Sequence, residues 1–140
     1  MAISFFFQDT RVTLTDRTRL KKFICLLFKR HGVNLESLTY IFCTDAYLLD
    51  INRKFLKHDY YTDIITFDLS ATEGIVEGEI YISVDRLRDN ARILGVSVKE
   101  ELHRVVFHGA LHLCGFKDKR ITDKKFMRLE EDKNLRHYFR

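Results

Sequence analysis

Apolar and polar positions along this chain follow two periods, and the switches between them mark out its elements. Residues 3–8, rich in aromatics, predict a first strand, because such side chains suit a pleated, buried surface. The period then becomes helical. Leu20, Phe23, Ile24, Leu27 and Phe28 share one face, Thr15 or Asp16 stands at the cap, and Gly32 ends the run. Residues 37–43 predict a second strand, and Thr44 caps a helix in which Leu48, Ile51 and Phe55 keep the helical spacing. Residues 64–69 predict a third strand, and residues 79–83 a fourth after a turn region between Gly74 and Gly78. A helix carrying Leu87, Ala91 and Leu94 closes at Gly95, and Thr122 caps a final polar helix that runs to about Arg136. This order predicts an α/β or α+β fold: one domain over residues 1–140, with a mixed sheet of about four strands covered by helices.

The chemistry concentrates between Ser97 and Lys119. Ser97 and Glu100 form a capping-box pair, and Val98, Leu102, Val105, Val106, Gly109 and Leu113 fall on one stripe. From Val105 onward Phe107, Leu111 and Cys114 make the opposite side apolar too, which predicts a buried central helix. His108 and His112 sit at the edge of the stripe, one turn apart on the same side. Gly115 is a helix stop, and Asp118 follows where its carboxylate can return toward both imidazoles. Two imidazoles and a carboxylate make a three-ligand zinc set with a fourth position open to water. The alternative is a pair of core histidines, each ring nitrogen satisfied by a hydrogen bond. The metallopeptidase pattern His-Glu-x-x-His is not present, because Gly109 stands where its general-base glutamate would be.

Composition narrows the class. The 140 residues, 46% of them hydrophobic, suffice for one domain's core, and no apolar run is long enough to span a membrane. No signal peptide is recognisable, and Cys25, Cys43 and Cys114 are odd in number and set in apolar context, so they read as reduced thiols of a cytoplasmic protein. A net charge of +4 leans toward an anionic partner without requiring one. The loop Lys57-His58-Asp59-Tyr60-Tyr61 combines cation, imidazole and aromatic rings. That mixture suits single-stranded nucleic acid, although both tyrosines could equally cover an edge of the core.

The segment His108-Gly109-Ala110-Leu111-His112-Leu113-Cys114-Gly115-Phe116-Lys117-Asp118 resembles the signature of the YbeY family of metal-dependent endoribonucleases, His-Gly-x-Leu-His-Leu-x-Gly-Tyr-Asp-His. Asp118 falls on the family's third histidine and Lys117 on its aspartate. A second block, Thr62-Asp63-Ile64-Ile65-Thr66-Phe67, is similar to the family's Thr-Asp-Val-Leu-Ser-Phe strand, and Gly78-Glu79-Ile80-Tyr81-Ile82 to its Gly-Asp-Ile-x-Ile segment. The resemblance implies a zinc-dependent, single-strand-specific endoribonuclease acting in rRNA maturation and ribosome quality control. RNA and the ribosome would be its partners, with one zinc held by His108, His112 and Asp118. The family's substrate-side arginine falls on Leu56, which leaves Arg53 or Lys57 as expected RNA contacts. The general base is open, with Asp63 as the candidate. Two other readings compete: a non-catalytic ribosome-assembly factor with a structural zinc, favoured by Leu56, and a zinc hydrolase of another substrate class, disfavoured by Gly109.

Overall fold

The computed structural model describes residues 2–140. Its elements in chain order are β1 (Ile3–Phe7), α1 (Arg17–Arg30), β2 (Asn34–Cys43), α2 (Asp45–Ile51), a π-helical turn (Asn52–Leu56), β3 (Ile64–Asp68), β4 (Ile75–Ser83), α3 (Val84–Leu94), α4 (Val98–Leu113) and α5 (Ile121–Tyr138). The four strands form one mixed sheet in the order β1-β2-β4-β3. β1, β2 and β4 run parallel, and β3 closes the edge antiparallel to β4.

Alternation along the strands sorts the two faces of the sheet. Leu38, Tyr40, Phe42, Ile80 and Ile82 point into the main core with α1, α4 and α5. Cys43 and Ile65 point the other way, where Leu48 of α2 covers them. Within the main core Leu102, Val106, Phe107 and Leu111 of α4 are fully buried. Each such side chain contributes about 1.5–3 kcal/mol by leaving water, so the rotational setting of α4 is firmly held. Tyr40, also fully buried, donates its hydroxyl to the Val106 carbonyl at 2.8 Å and ties sheet to helix. Gly109 lets the two approach: a Cβ there would stand 2.7 Å from Ile80 Cδ1 and 3.0 Å from Ile80 Cγ2. These contacts determine which way His108 faces.

Several boundaries differ from the sequence expectation. β2 and β4 begin earlier, at Asn34 and Ile75, where Asn34 pairs with Ile75 and Leu35 with Val76 ahead of a register shift between Leu35 and Ser37 that interrupts the alternation. Gly78, expected in a turn, lies inside β4, where a Cβ would meet Leu113 Cδ1 at 2.7 Å. Phe55, expected on a core face, is 66% exposed. The cause is the π-helical turn, which shifts the facing of the residues after Ile51 and buries Asn52 instead. Leu94 is exposed at the end of α3. Thr122 is not the cap of α5. That position is Arg120, whose N–H donates to Asp123 Oδ2 at 3.4 Å. Asp16 stands at the start of α1 with φ at 50° but makes no side-chain cap bond. Two caps form as expected: Thr44 Oγ1 accepts from Tyr47 N at 3.1 Å, and Ser97 Oγ from Glu100 N at 3.0 Å. Gly115 stops α4 with φ at 103°.

Candidate active site

α4 is buried on most of its surface, yet one stripe of it carries polar residues at helical spacing. Glu101, Arg104 and His108 line a cavity of about 480 Å³, together with Asp63 and with Lys124, Arg128 and Glu131 of α5. His108 and His112 line a second cavity of about 240 Å³, with Asn52, His58, Tyr60 and Thr66. His108, Asp118, Thr62 and Ile64 belong to both walls, so they form the divide between the two spaces.

His108 is held at both ring nitrogens. Nδ1 donates to Glu131 Oε2 at 2.6 Å, and Nε2 faces Asp118 Oδ2 at 3.3 Å. Glu131 is in turn fixed by Arg104, whose Nη1 donates to its Oε1 at 3.0 Å while Nη2 reaches Asp132 at 2.6 Å. Burial pulls the His108 pKa down, but the hydrogen bond and charge of Glu131, helped by Asp118 and Asp63, outweigh it and hold the imidazole above its ordinary range. With its proton on Nδ1, a neutral His108 would turn a lone pair on Nε2 toward a carboxylate oxygen. That arrangement calls for a cation, either a proton on the ring or a metal ion. Two ligands about 2.1 Å from a tetrahedral zinc stand about 3.4 Å apart, close to the Nε2–Oδ2 separation observed. The carboxylate on Nδ1 is the usual orienting partner of a metal-bound histidine.

The third residue is less closely drawn in. His112 lines the smaller cavity one turn beyond His108, and its side chain is exposed, so packing does not fix its rotamer. Among the described residues no three His, Cys, Asp or Glu side chains are already gathered about one point as ligands. The donor chemistry and the His108–Asp118 pair therefore fit a zinc ion, and His112 lines the same cavity without being drawn onto that pair. The contrast with His103 is instructive. That ring is buried, bonded to the Lys99 carbonyl at 2.7 Å and stacked on Tyr138, with burial lowering its pKa. It is the core histidine of the helix, whereas His108 and His112 face open space.

The sequence model of the family described as Endoribonuclease YbeY matches residues 6–139. The chain belongs to the YbeY endoribonuclease family. Among its YbeY relatives, the Endoribonuclease YbeY of Cytophaga hutchinsonii is 50% identical over 133 residues, covering 95% of this chain and 93% of that protein. The Endoribonuclease YbeY of Porphyromonas gingivalis is 44% identical over 133 residues, covering 95% and 87% respectively. The fold is also similar to the solution structure of a Thermotoga maritima protein. There the TM-score is 0.65, over 98% of this chain and 89% of that one, at 24% identity.

Arg53 and Lys57, the expected RNA contacts, line neither cavity. Arg53 is paired with Asp59 at 2.5 Å on the surface, and Lys57 is exposed at the end of the π-helical turn. Leu56 does line the smaller cavity. The cations beside the site are instead Arg104, Lys124 and Arg128. Sequence reasoning also missed Glu131. Its signal was present: Met127, Glu131, Leu135 and Tyr138 form the buried stripe of α5, so an acid stands at a core position. Glu101 was missed as well. It is 5% exposed, with Oε1 unpartnered, and burial pushes its pKa up.

Proposed function

We propose that this chain is a zinc-dependent endoribonuclease that cuts single-stranded RNA, acting on ribosomal RNA and working with the ribosome in the cytoplasm. The observation that carries the proposal is His108, oriented by Glu131 at 2.6 Å on one nitrogen and set 3.3 Å from Asp118 on the other, in a member of this family. His108, His112 and Asp118 would hold the ion, and zinc so held supplies a Lewis acid for a phosphoryl oxygen and lowers the pKa of water. Glu131 fixes the His108 ring. Lys124 and Arg128, unlike Arg104, have no carboxylate on them among the described ion pairs and face the larger cavity, where phosphates would lie. The single-strand preference follows from the site's position on the divide between two cavities, which an extended strand reaches more readily than a stiff duplex. No helix among the described residues is long and apolar enough to cross a membrane.

Asp63 is our choice of proton acceptor. Its carboxyl lines the larger cavity, and burial pushes its pKa up, against the pull of His108 and of nearby backbone N–H groups. A raised carboxyl pKa means that the folded state favours the protonated form. Its contribution to stability is full below the unfolded pKa and is lost as pH rises through the folded pKa. In the metal-free protein Asp63→Asn should therefore melt above wild type at neutral pH, with the gain vanishing below the ordinary carboxyl range. In the zinc-loaded protein the same variant should cleave labelled single-stranded RNA roughly 10²–10⁴-fold more slowly. Wild-type cleavage that persists in chelator, or an Asp63→Asn rate equal to wild type, would remove zinc or Asp63 respectively from the mechanism.

Asp118 departs from the family signature, and its variants separate ligand from bystander. Asp118→His should keep the zinc, whereas Asp118→Ala should lose it to a competing chelator at least roughly tenfold faster, as for the loss of a supporting contact or more. Equal release rates for Asp118→Ala and wild type would move the third ligand elsewhere, and His58 in the same cavity is then the first alternative.

A further inference from the structure

The smaller cavity contains more than one wall of the metal site. His58 and Tyr60 also line it, and their rings stack with centroids 5.1 Å apart and planes 20° from parallel. Their polar edges are joined as well, by a 2.9 Å hydrogen bond between Tyr60 Oη and His58 Nδ1. Below them the buried Asn52 donates its amide to the Tyr60 carbonyl at 2.9 Å, pinning the backbone that carries the stack. The π-helical turn that exposes Phe55 is what buries Asn52, so the irregular helix serves to anchor this loop. Although anchored, both rings remain exposed, Tyr60 at 56%, a large aromatic surface to leave in water. The space they line is about 240 Å³, below the usual range for a drug-sized ligand and of a size for one flat ring system.

We propose that His58 and Tyr60 form a stacking platform for one unpaired nucleobase of the strand bound across His108 and Asp118. This rests on the RNA reading above and deepens it, assigning a base subsite to one cavity and leaving the phosphates to the cationic side. A base can stack there only if it is splayed out of a helix, so the platform selects single-stranded substrate. Stacking takes any base, and the subsite would be tolerant of sequence.

The test is equilibrium binding of short single-stranded RNA in chelator, where cleavage is absent. Tyr60→Ala should weaken binding roughly 5–150-fold, the range for losing one base–aromatic stack of about 1–3 kcal/mol. Tyr60→Phe, which keeps the ring, should stay within about twofold of wild type on the same scale. A 2-aminopurine base moved along the oligonucleotide should be quenched at one position by wild type and Tyr60→Phe, and not by Tyr60→Ala. An abasic oligonucleotide should bind wild type and Tyr60→Ala alike. Equal loss on abasic and normal RNA would make Tyr60 merely structural and overturn the platform, as would undiminished binding by Tyr60→Ala or no binding by wild type. If wild type binds and stacks yet never cleaves when zinc is restored, the nuclease reading fails and the platform stands.

Discussion

Replacing His108 and His112 together by alanine should bring bound zinc from about one per chain to background and slow RNA cleavage by on the order of 10³-fold or more. The second figure follows from magnitudes. Metal stabilisation of charge at phosphorus is worth several kcal/mol, and each 1.36 kcal/mol is a factor of ten in rate. The fold should tolerate the change, because His112 is exposed, the His108 side chain is 22% exposed, and alanine is the better helix former. Glu131, deprived of His108, keeps Arg104. Elemental analysis of protein purified without added metal reads the first outcome, and labelled single-stranded RNA the second. The double variant also controls for contaminating nucleases. Zinc at wild-type levels in it would reject the ligand assignment, and equal cleavage would reject the enzyme. Ribosome binding by a wild type that cannot cleave would favour the assembly-factor reading, which Leu56 in the smaller cavity makes worth testing.

What could be read in the sequence was whatever rests on local periodicity. The element order, the four-stranded mixed sheet, the burial of α4 and the stop at Gly115 all follow from patterns within one or two turns. His108 and His112 were visible for the same reason, being one turn apart on a helix whose other faces are apolar. Where long-range contact decides, the pattern was silent. Gly78 looks like a turn residue until α4 lies against it, and Phe55 looks like core until the helix widens to a π turn. For Glu131 the pattern carries only an acid on the apolar stripe of α5, and nothing in it shows that this acid meets His108, 23 residues earlier in sequence. Its importance comes from packing, which sets an acid on a buried stripe opposite an arginine and an imidazole. The cationic residues of α5 were hidden likewise, since only the α4–α5 contact turns Lys124 and Arg128 toward the site.

Glu131→Ala should lower stability by about 3 kcal/mol, the low end of the cost of breaking a buried ion pair, and should weaken zinc binding roughly 10–100-fold. Glu131 is 5% exposed and bonds both His108 and Arg104, so truncating it leaves two buried partners short. Arg104, with its side chain 12% exposed, keeps Asp132 on Nη2, which is why the low end applies. A loss of this size should shift the melting temperature by on the order of 10 °C. Folding and metal tuning can then be separated. Replacing Glu131 by leucine and Arg104 by methionine together removes both charges and refills much of the space, and pairs exchanged in this way often regain their stability. Zinc affinity should stay depressed, because His108 Nδ1 still lacks the carboxylate that orients the ring. Recovery of stability without recovery of affinity would assign Glu131 to the metal site as well as to the core. Recovery of both would assign it to folding alone.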